Sequence, residues 1–293
     1  MSRRWGATEM QVQTWIAAFD GRARGADYRP FTRVRQISSK GRGALVKGIK
    51  TGRIHEYLKD LEYYYHILAE YSPEVVDILE RYALLPREET ISIAEELGIR
   101  HPVYPGSNTP KVLTTNMVLV VAGPSCEEFR PVCLEYSSQL NPKQKGEKGY
   151  AHYSRTNERL LISQQYWRHR GETERLCTEK MLLTKRAHNL DALRATVIAK
   201  ECDWLNPLLP EFVLRFQEFW SARARLNDIL VKTAAHFRIL PSEAMVLFGR
   251  AVWLRLLPVN LDSEAIHHEF PISLDSDENS PNQHALPRQT WPH

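Results

Sequence analysis

The run Val112-Leu113-Thr114-Thr115-Asn116-Met117-Val118-Leu119-Val120-Val121 decides how this chain is read. Apolar and β-branched residues dominate it and Gly123-Pro124 breaks it, a pattern that predicts a buried strand carrying the polar triplet Thr114-Thr115-Asn116. A second strand run ends at Leu134-Glu135-Tyr136-Ser137. There Val132, Leu134 and Tyr136 share one face and leave Cys133, Glu135 and Ser137 on the other. Upstream, Ile54, Leu58, Leu61, Tyr65 and Leu68 recur at steps of four and three and predict an amphipathic helix. Glu62 lies at the edge of that stripe, where a carboxylate can look into a cleft beside the core.

A helix carboxylate beside a strand pair is the frame on which metal-dependent phosphodiester hydrolysis is built. Such hydrolysis uses a divalent ion to polarise the phosphate and generate hydroxide near neutral pH. Mg²⁺ is hard and octahedral, held by a few carboxylate oxygens, water and substrate phosphate. A minimal site is one helix carboxylate, one strand Asp, an acceptor on the neighbouring strand, and a Lys near the attacking water. Glu62, Asn116, Glu135 and Ser137 fall in that order, with Glu62 and Glu135 as the expected metal ligands if Mg²⁺ binds. Asn116 stands where Asp is wanted and Ser137 where Lys is wanted. Removing one well-placed electrostatic group costs ~10²–10³ in rate, so two departures predict weak or absent Mg²⁺-dependent cutting. Lys143 or Lys145, from the polar stretch 141–149, is the alternative source of the missing cation.

The rest of the composition bounds the partners. The chain has 293 residues, 43% of them apolar, and a net charge of +4. That supports folded domains and excludes wholesale disorder. The charge is uneven: Arg22 to Arg53 holds ten basic residues against the single acid Asp27, with Tyr28 and Phe31 interleaved. Arg33, Arg35, Lys40, Arg42, Lys47, Lys50 and Arg53 are the expected DNA-binding set, because phosphate neutralisation releases counterions. A solubilising arm is the competing reading of the same charge. The four cysteines, Cys126, Cys133, Cys177 and Cys202, lack metal-site spacing and fit reduced thiols. No apolar run reaches the ~18–20 residues needed to span a bilayer, and the first residues lack a signal-peptide core, so a cytoplasmic protein with no membrane partner is expected.

Four zones follow along the chain: a basic arm with a short helix over 1–53, an α/β domain over 54–171, a helical domain over 172–274, and a polar tail over 275–293. Strand and helix signals alternate in the second zone, at Val75–Leu85, Thr90–Gly98, Val112–Val121 and Asn157–Trp167. In the third, Pro207 and Pro210 precede a helix over Glu211–Trp220. Pro241-Ser242-Glu243 opens another helix running to about Ala251. Val252–Leu257 and Glu269–Leu274 then read as the strands of a wing. His55, His66, His101 and His152 match no ligand pattern and are expected to be structural or surface residues.

Several motifs together resemble one family. Gly52-Arg53-Ile54-His55, Lys59-Asp60-Leu61-Glu62, Leu84-Leu85-Pro86, Gly98-Ile99-Arg100-His101-Pro102, Thr114-Thr115-Asn116, Gln165-Tyr166-Trp167 and Thr178-Glu179-Lys180 look like the TnsA endonuclease subunit of heteromeric transposases. The resemblance covers roughly residues 25–275. It implies an α/β, restriction-endonuclease-like (PD-(D/E)xK) N-terminal domain and a mainly helical, winged-helix-like C-terminal domain. It also implies cutting of 5′ strands at transposon ends. The implied partners are transposon-end DNA, a DDE-type recombinase (TnsB-like) and an AAA+ ATPase regulator (TnsC-like). By position Glu62 matches the helix carboxylate, Asn116 the metal-binding Asp, Glu135 a Gln or Glu, and Ser137 the catalytic Lys. The expected function is therefore a TnsA-like subunit that binds DNA and partners with its 5′-strand nuclease lost or impaired. The alternatives are an active Mg²⁺-dependent endonuclease with a relocated Lys, and a winged-helix DNA-binding regulator.

Overall fold

The computed structural model describes residues 6–33, 43–123 and 126–275. The chain divides into two compact units, up to Leu182 and from Leu183 onward. The first is mixed α/β, the class expected from the sequence. Its centre is a four-stranded sheet ordered β3 (Val75–Ala83), β4 (Thr114–Ala122), β5 (Glu127–Leu134) and β6 (Arg175–Cys177). The first three run antiparallel, with Ala83 opposite Thr114 and Met117 opposite Val132; β6 joins β5 in parallel. A separate hairpin pairs β1 (Ala44–Lys47) with β2 (Ile54–Tyr57).

Helices cover this sheet: α1 (Glu9–Ala17), α2 (Asp60–Tyr71), α3 (Arg87–Glu96), the short α4 (Ser137–Leu140) and α5 (Tyr150–Arg168). Leu79, Val118 and Val120 of the sheet pack with Ile93, Ile162, Tyr166 and Trp167 of the helices. The buried run in β4 is thus the strand that the opening stretch predicts, shifted by two residues at its start.

Two expectations change here. The helix that seemed to begin at Ile54 begins at Asp60, because 54–57 pair with β1 and leave Ile54 exposed. Leu61, Tyr65 and Leu68 keep their buried stripe. Within the expected basic arm the short helix is present as α1, opened by a Thr8 capping box, but Val12, Tyr28 and Phe31 are core residues and not part of an extended segment.

A buried polar network locks the hairpin to β3. Arg53 donates to both Glu80 oxygens at 2.8 and 2.7 Å, and His55 Nδ1 lies 3.0 Å from Glu80 Oε2. Thr51 holds the other His55 nitrogen at 2.8 Å. The turn must come so close that a Cβ on Gly48 would sit 2.2 Å from Thr51 Oγ1 and 2.8 Å from His55 Nε2. His66, also fully buried, takes a 2.7 Å hydrogen bond with Tyr57 Oη. Both histidines are therefore structural.

The second unit is helical: α6 (Thr184–Ile198), a 3₁₀ stretch over Lys200–Leu208, α7 (Leu209–Phe219), α8 (Leu226–Phe237) and α9 (Pro241–Trp253). Phe212, Phe216, Ile229, Leu230, Leu247 and Phe248 recur at helical spacing and form its core. Buried Arg250 ties the 3₁₀ stretch down through the carbonyls of Ala199 and Cys202 and the Asn206 side chain. The expected wing is corrected: α9 continues through Trp253, and residues 254–275 form only isolated bridges, Val259 with Leu274 and Arg225 with Pro271. Pro258 and Pro271 have no N–H to donate to a ladder. No helix among the described residues is long and apolar enough to cross a membrane.

The Glu80 network sets a stability test. Burial works to raise the Glu80 pKa, but hydrogen bonds from His55 and Arg53 more than reverse this and hold it well below the usual carboxylate range. Its contribution is then present above the unfolded-state pKa of ~4.3 and lost as pH falls toward the folded value. Glu80→Gln, which leaves Arg53 buried without its counter-charge, is expected to cost about 3–5 kcal/mol at pH 7 in urea denaturation. The gap from wild type should narrow below about pH 4; a gap constant from pH 7 to 3 would contradict the assignment.

Candidate functional site

Glu62, Asn116 and Glu135 come together at a cavity of about 450 Å³. Glu62 is the third residue of α2 and only 4% exposed. Its Oε2 accepts from the Leu58 backbone N–H at 2.9 Å, in front of the helix. Its Oε1 accepts from Asn116 Nδ2, also at 2.9 Å. Asn116 Oδ1 in turn accepts from the Leu134 N–H at 3.1 Å. The amide orientation is dictated at both ends: a carboxylate needs a donor, and a backbone N–H needs an acceptor. One side chain thus joins α2, β4 and the end of β5.

Ser137 is corrected. The chain leaves β5 at Leu134 and turns into α4, and Ser137 is held by Glu179, which accepts from its backbone N–H at 2.8 Å and from its hydroxyl. It does not line the cavity. Cys133 and Glu135 do, one residue apart on each side of Leu134. Burial pushes the Cys133 thiol well up, so it is a neutral lining group.

Lys59, at the N-cap position of α2, is a cation that lines the cavity, whereas Lys143 and Lys145 do not line it. Lys59 Nζ donates to Glu135 Oε2 at 2.6 Å and to the Leu134 carbonyl at 3.0 Å. Arg159 of α5 approaches Glu135 Oε1 at 3.6 Å. Arg81, Lys111 and His152 also line the cavity.

Glu174, just ahead of β6, is the residue sequence reading missed. It is 3% exposed and lines the same cavity. Its Oε1 accepts from Ser163 Oγ at 2.8 Å and Thr115 Oγ1 at 3.0 Å, while Trp167 Nε1 donates to Thr115 at 2.8 Å. Oε2 finds no hydrogen-bond partner among the described residues. Burial pushes this carboxyl up to about 7, against the opposing pull of Ser163 and Thr115.

These donors do not suit a hard divalent ion. Both Glu62 oxygens and the Asn116 oxygen are engaged, Cys133 is soft and protonated, and Glu135 faces two cations. Among the described residues no three His, Cys, Asp or Glu side chains converge as ligands.

The expected DNA-binding set divides. Arg53 is withdrawn from it, because its guanidinium is buried on Glu80. Lys50 Nζ donates to the carbonyls of Ser72 and Val75. Lys47 lies exposed on β1 and Arg33 is half-buried. Arg35, Lys40 and Arg42 lie outside the described residues.

The chain is similar to the Transposon Tn7 transposition protein TnsA of Escherichia coli. The two are 29% identical over 251 residues, which cover 83% of this chain and 86% of that protein. The TnsA likeness read from the motifs therefore extends along most of the chain. No family model matches it.

Two measurements test this geometry. Asn116→Asp replaces the amide donor by a carboxylate about 3 Å from Glu62, where two negative charges repel unless a cation or a shared proton intervenes. The variant is expected to lose several degrees of Tm in EDTA and to recover them with Mn²⁺, while wild type responds to neither. Equal metal responses would contradict the closed Glu62–Asn116 pair. For Glu174 the folded pKa is raised, so its contribution is complete below the unfolded pKa of ~4.3 and is lost as pH rises through about 7. Glu174→Gln should therefore gain on wild type by on the order of 3 kcal/mol between pH 5 and pH 8 in chemical denaturation. A pH-independent difference would show that the group does not titrate there.

Proposed function

We propose that this protein is a TnsA-like subunit of a heteromeric DNA transposase that binds transposon-end DNA but has lost most or all 5′-strand nuclease activity. The single observation that carries the reading is the Asn116 amide hydrogen-bonded to Glu62. The carboxylate that would face a metal ion has its charge satisfied from within. The likeness to TnsA supplies the transposition context. A PD-(D/E)xK-type scaffold would then serve as a DNA cleft, with Lys59, Lys111 and Arg159 toward the backbone and Arg33 and Lys47 outside it. The proposed partners are a DDE-type recombinase and an AAA+ ATPase regulator. Mg²⁺ has at most a weak role.

Lys59 supports a second reading, an active endonuclease whose cation has moved from the strand to the helix. Reconstitution with the recombinase and the ATPase separates the two. Under the proposal, transposon-end duplex binds equally well in EDTA and in Mg²⁺, and no 5′ nick appears with Mg²⁺ or Mn²⁺. A wild-type 5′ nick that Glu62→Ala abolishes would overturn it in favour of the second reading.

A further inference from the structure

Glu135 holds an arrangement that the hydrogen bonds of a folded scaffold do not require. One carboxylate, at the end of β5, is shared between an ammonium from α2 and a guanidinium from α5. Lys59 sits at the N-terminus of α2, where the helix dipole is positive and a cation is disfavoured. Its closest counter-charge is Glu135, at 2.6 Å. The three side chains are 26%, 12% and 46% exposed in the order Lys59, Glu135, Arg159, so the two cations reach solvent more than the carboxylate between them. Two cations held apart by one small oxyanion, open on the outer side, have the donor geometry of a phosphate site.

We propose that Glu135 occupies a phosphodiester subsite in the unbound protein, and that a DNA backbone phosphate displaces it and takes over Lys59 and Arg159. The inference rests on the reading of the cavity as a DNA cleft and adds to it a specific phosphate contact and an internal competitor. The exchange is local. Lys59 keeps its hold on the Leu134 carbonyl and swings only its remaining N–H groups, and Arg159 moves on an exposed stem. The phosphate brings acceptor oxygens to both cations without any metal ion. The displaced carboxylate gains water at the outer edge, which limits the cost of the exchange.

The test is the affinity of full-length protein for transposon-end duplex across a salt series, in EDTA. Glu135→Gln removes the competing charge while keeping the shape, and is expected to bind on the order of tenfold tighter. Lys59→Ala is expected to bind more weakly and to reduce the slope of log K against log salt by about 0.9, one phosphate contact on a duplex. In the Lys59→Ala background the gain from Glu135→Gln should shrink, because the charge it releases is gone. A merely structural Lys59–Glu135 pair predicts the opposite: Glu135→Gln lowers Tm, leaves affinity unchanged or weaker, and no variant alters the slope. That result, with wild type binding DNA normally, overturns the subsite and leaves the proposed function standing. Absence of duplex binding by wild type and Glu135→Gln alike at low salt overturns both.

Discussion

The bidentate contact of Arg53 on Glu80 is the constraint from which the site descends. It is made inside the protein, where an unpaired charge costs several kcal/mol, so it fixes the β1–β2 hairpin against β3 with little tolerance. Tyr28 reinforces it, since its hydroxyl donates to the Glu80 carbonyl and its ring lies 5.0 Å from the Arg53 guanidinium. β2 runs directly into Leu58 and Lys59, so anchoring the hairpin also sets where α2 starts. Glu62 can reach Asn116, and Lys59 can reach Glu135, only because that start is fixed. A buried ion pair is a poor source of stability compared with apolar packing, yet here it determines register.

Within the cleft, charge closes on itself. An Asp at position 116 would leave two carboxylates side by side, to be relieved by an external cation or a shared proton. The Asn116 amide relieves Glu62 with a donor that belongs to the chain. Lys59 does the same for Glu135. Glu174 is relieved in a third way, by taking a proton as burial raises its pKa to about 7. Three carboxyl groups at one cavity are thus relieved in three ways, by an amide, an ammonium and a proton.

Much of the first unit was legible because its signals are local. The β-branched run in β4 and the Leu61–Tyr65–Leu68 stripe carry their periods openly, and Glu62 and Asn116, both singled out in the sequence, are hydrogen-bonded to each other. Three things were not legible. Ile54–Tyr57 continues the helical spacing by coincidence, and only pairing with Ala44–Lys47 makes it a strand. Ser137 follows the alternation of β5, but the strand ends at Leu134 because Glu179, distant in sequence, captures the next turn. Glu174 carries no pattern at all; its burial comes from Thr115, Ser163 and Trp167, brought in from a strand and a helix. Lys59 was visible within a motif, but its role depends on reaching across to the far end of β5. Strand length and long-range capture decide these residues, and neither is written in a short window of sequence.

Under the proposed function, the cluster at Glu135 gives the cleft a use that needs no metal ion. A metal-dependent cleft must keep its carboxylates unpaired until the ion arrives, which makes its resting state repulsive toward DNA phosphates. Replacing the ion by fixed donors removes that dependence. Net positive side chains then outweigh the carboxylates at the same cavity: Lys59, Arg81, Lys111 and Arg159 against Glu62 and Glu135, with Glu174 neutral below about pH 7. Such a surface attracts a phosphate backbone without needing to cut it. The shared carboxylate keeps the cations from collapsing onto other partners while the cleft is empty. On the proposed reading the Asn116 amide and the Lys59 ammonium act together, one satisfying Glu62 without a metal ion and the other offering a cation to a phosphate.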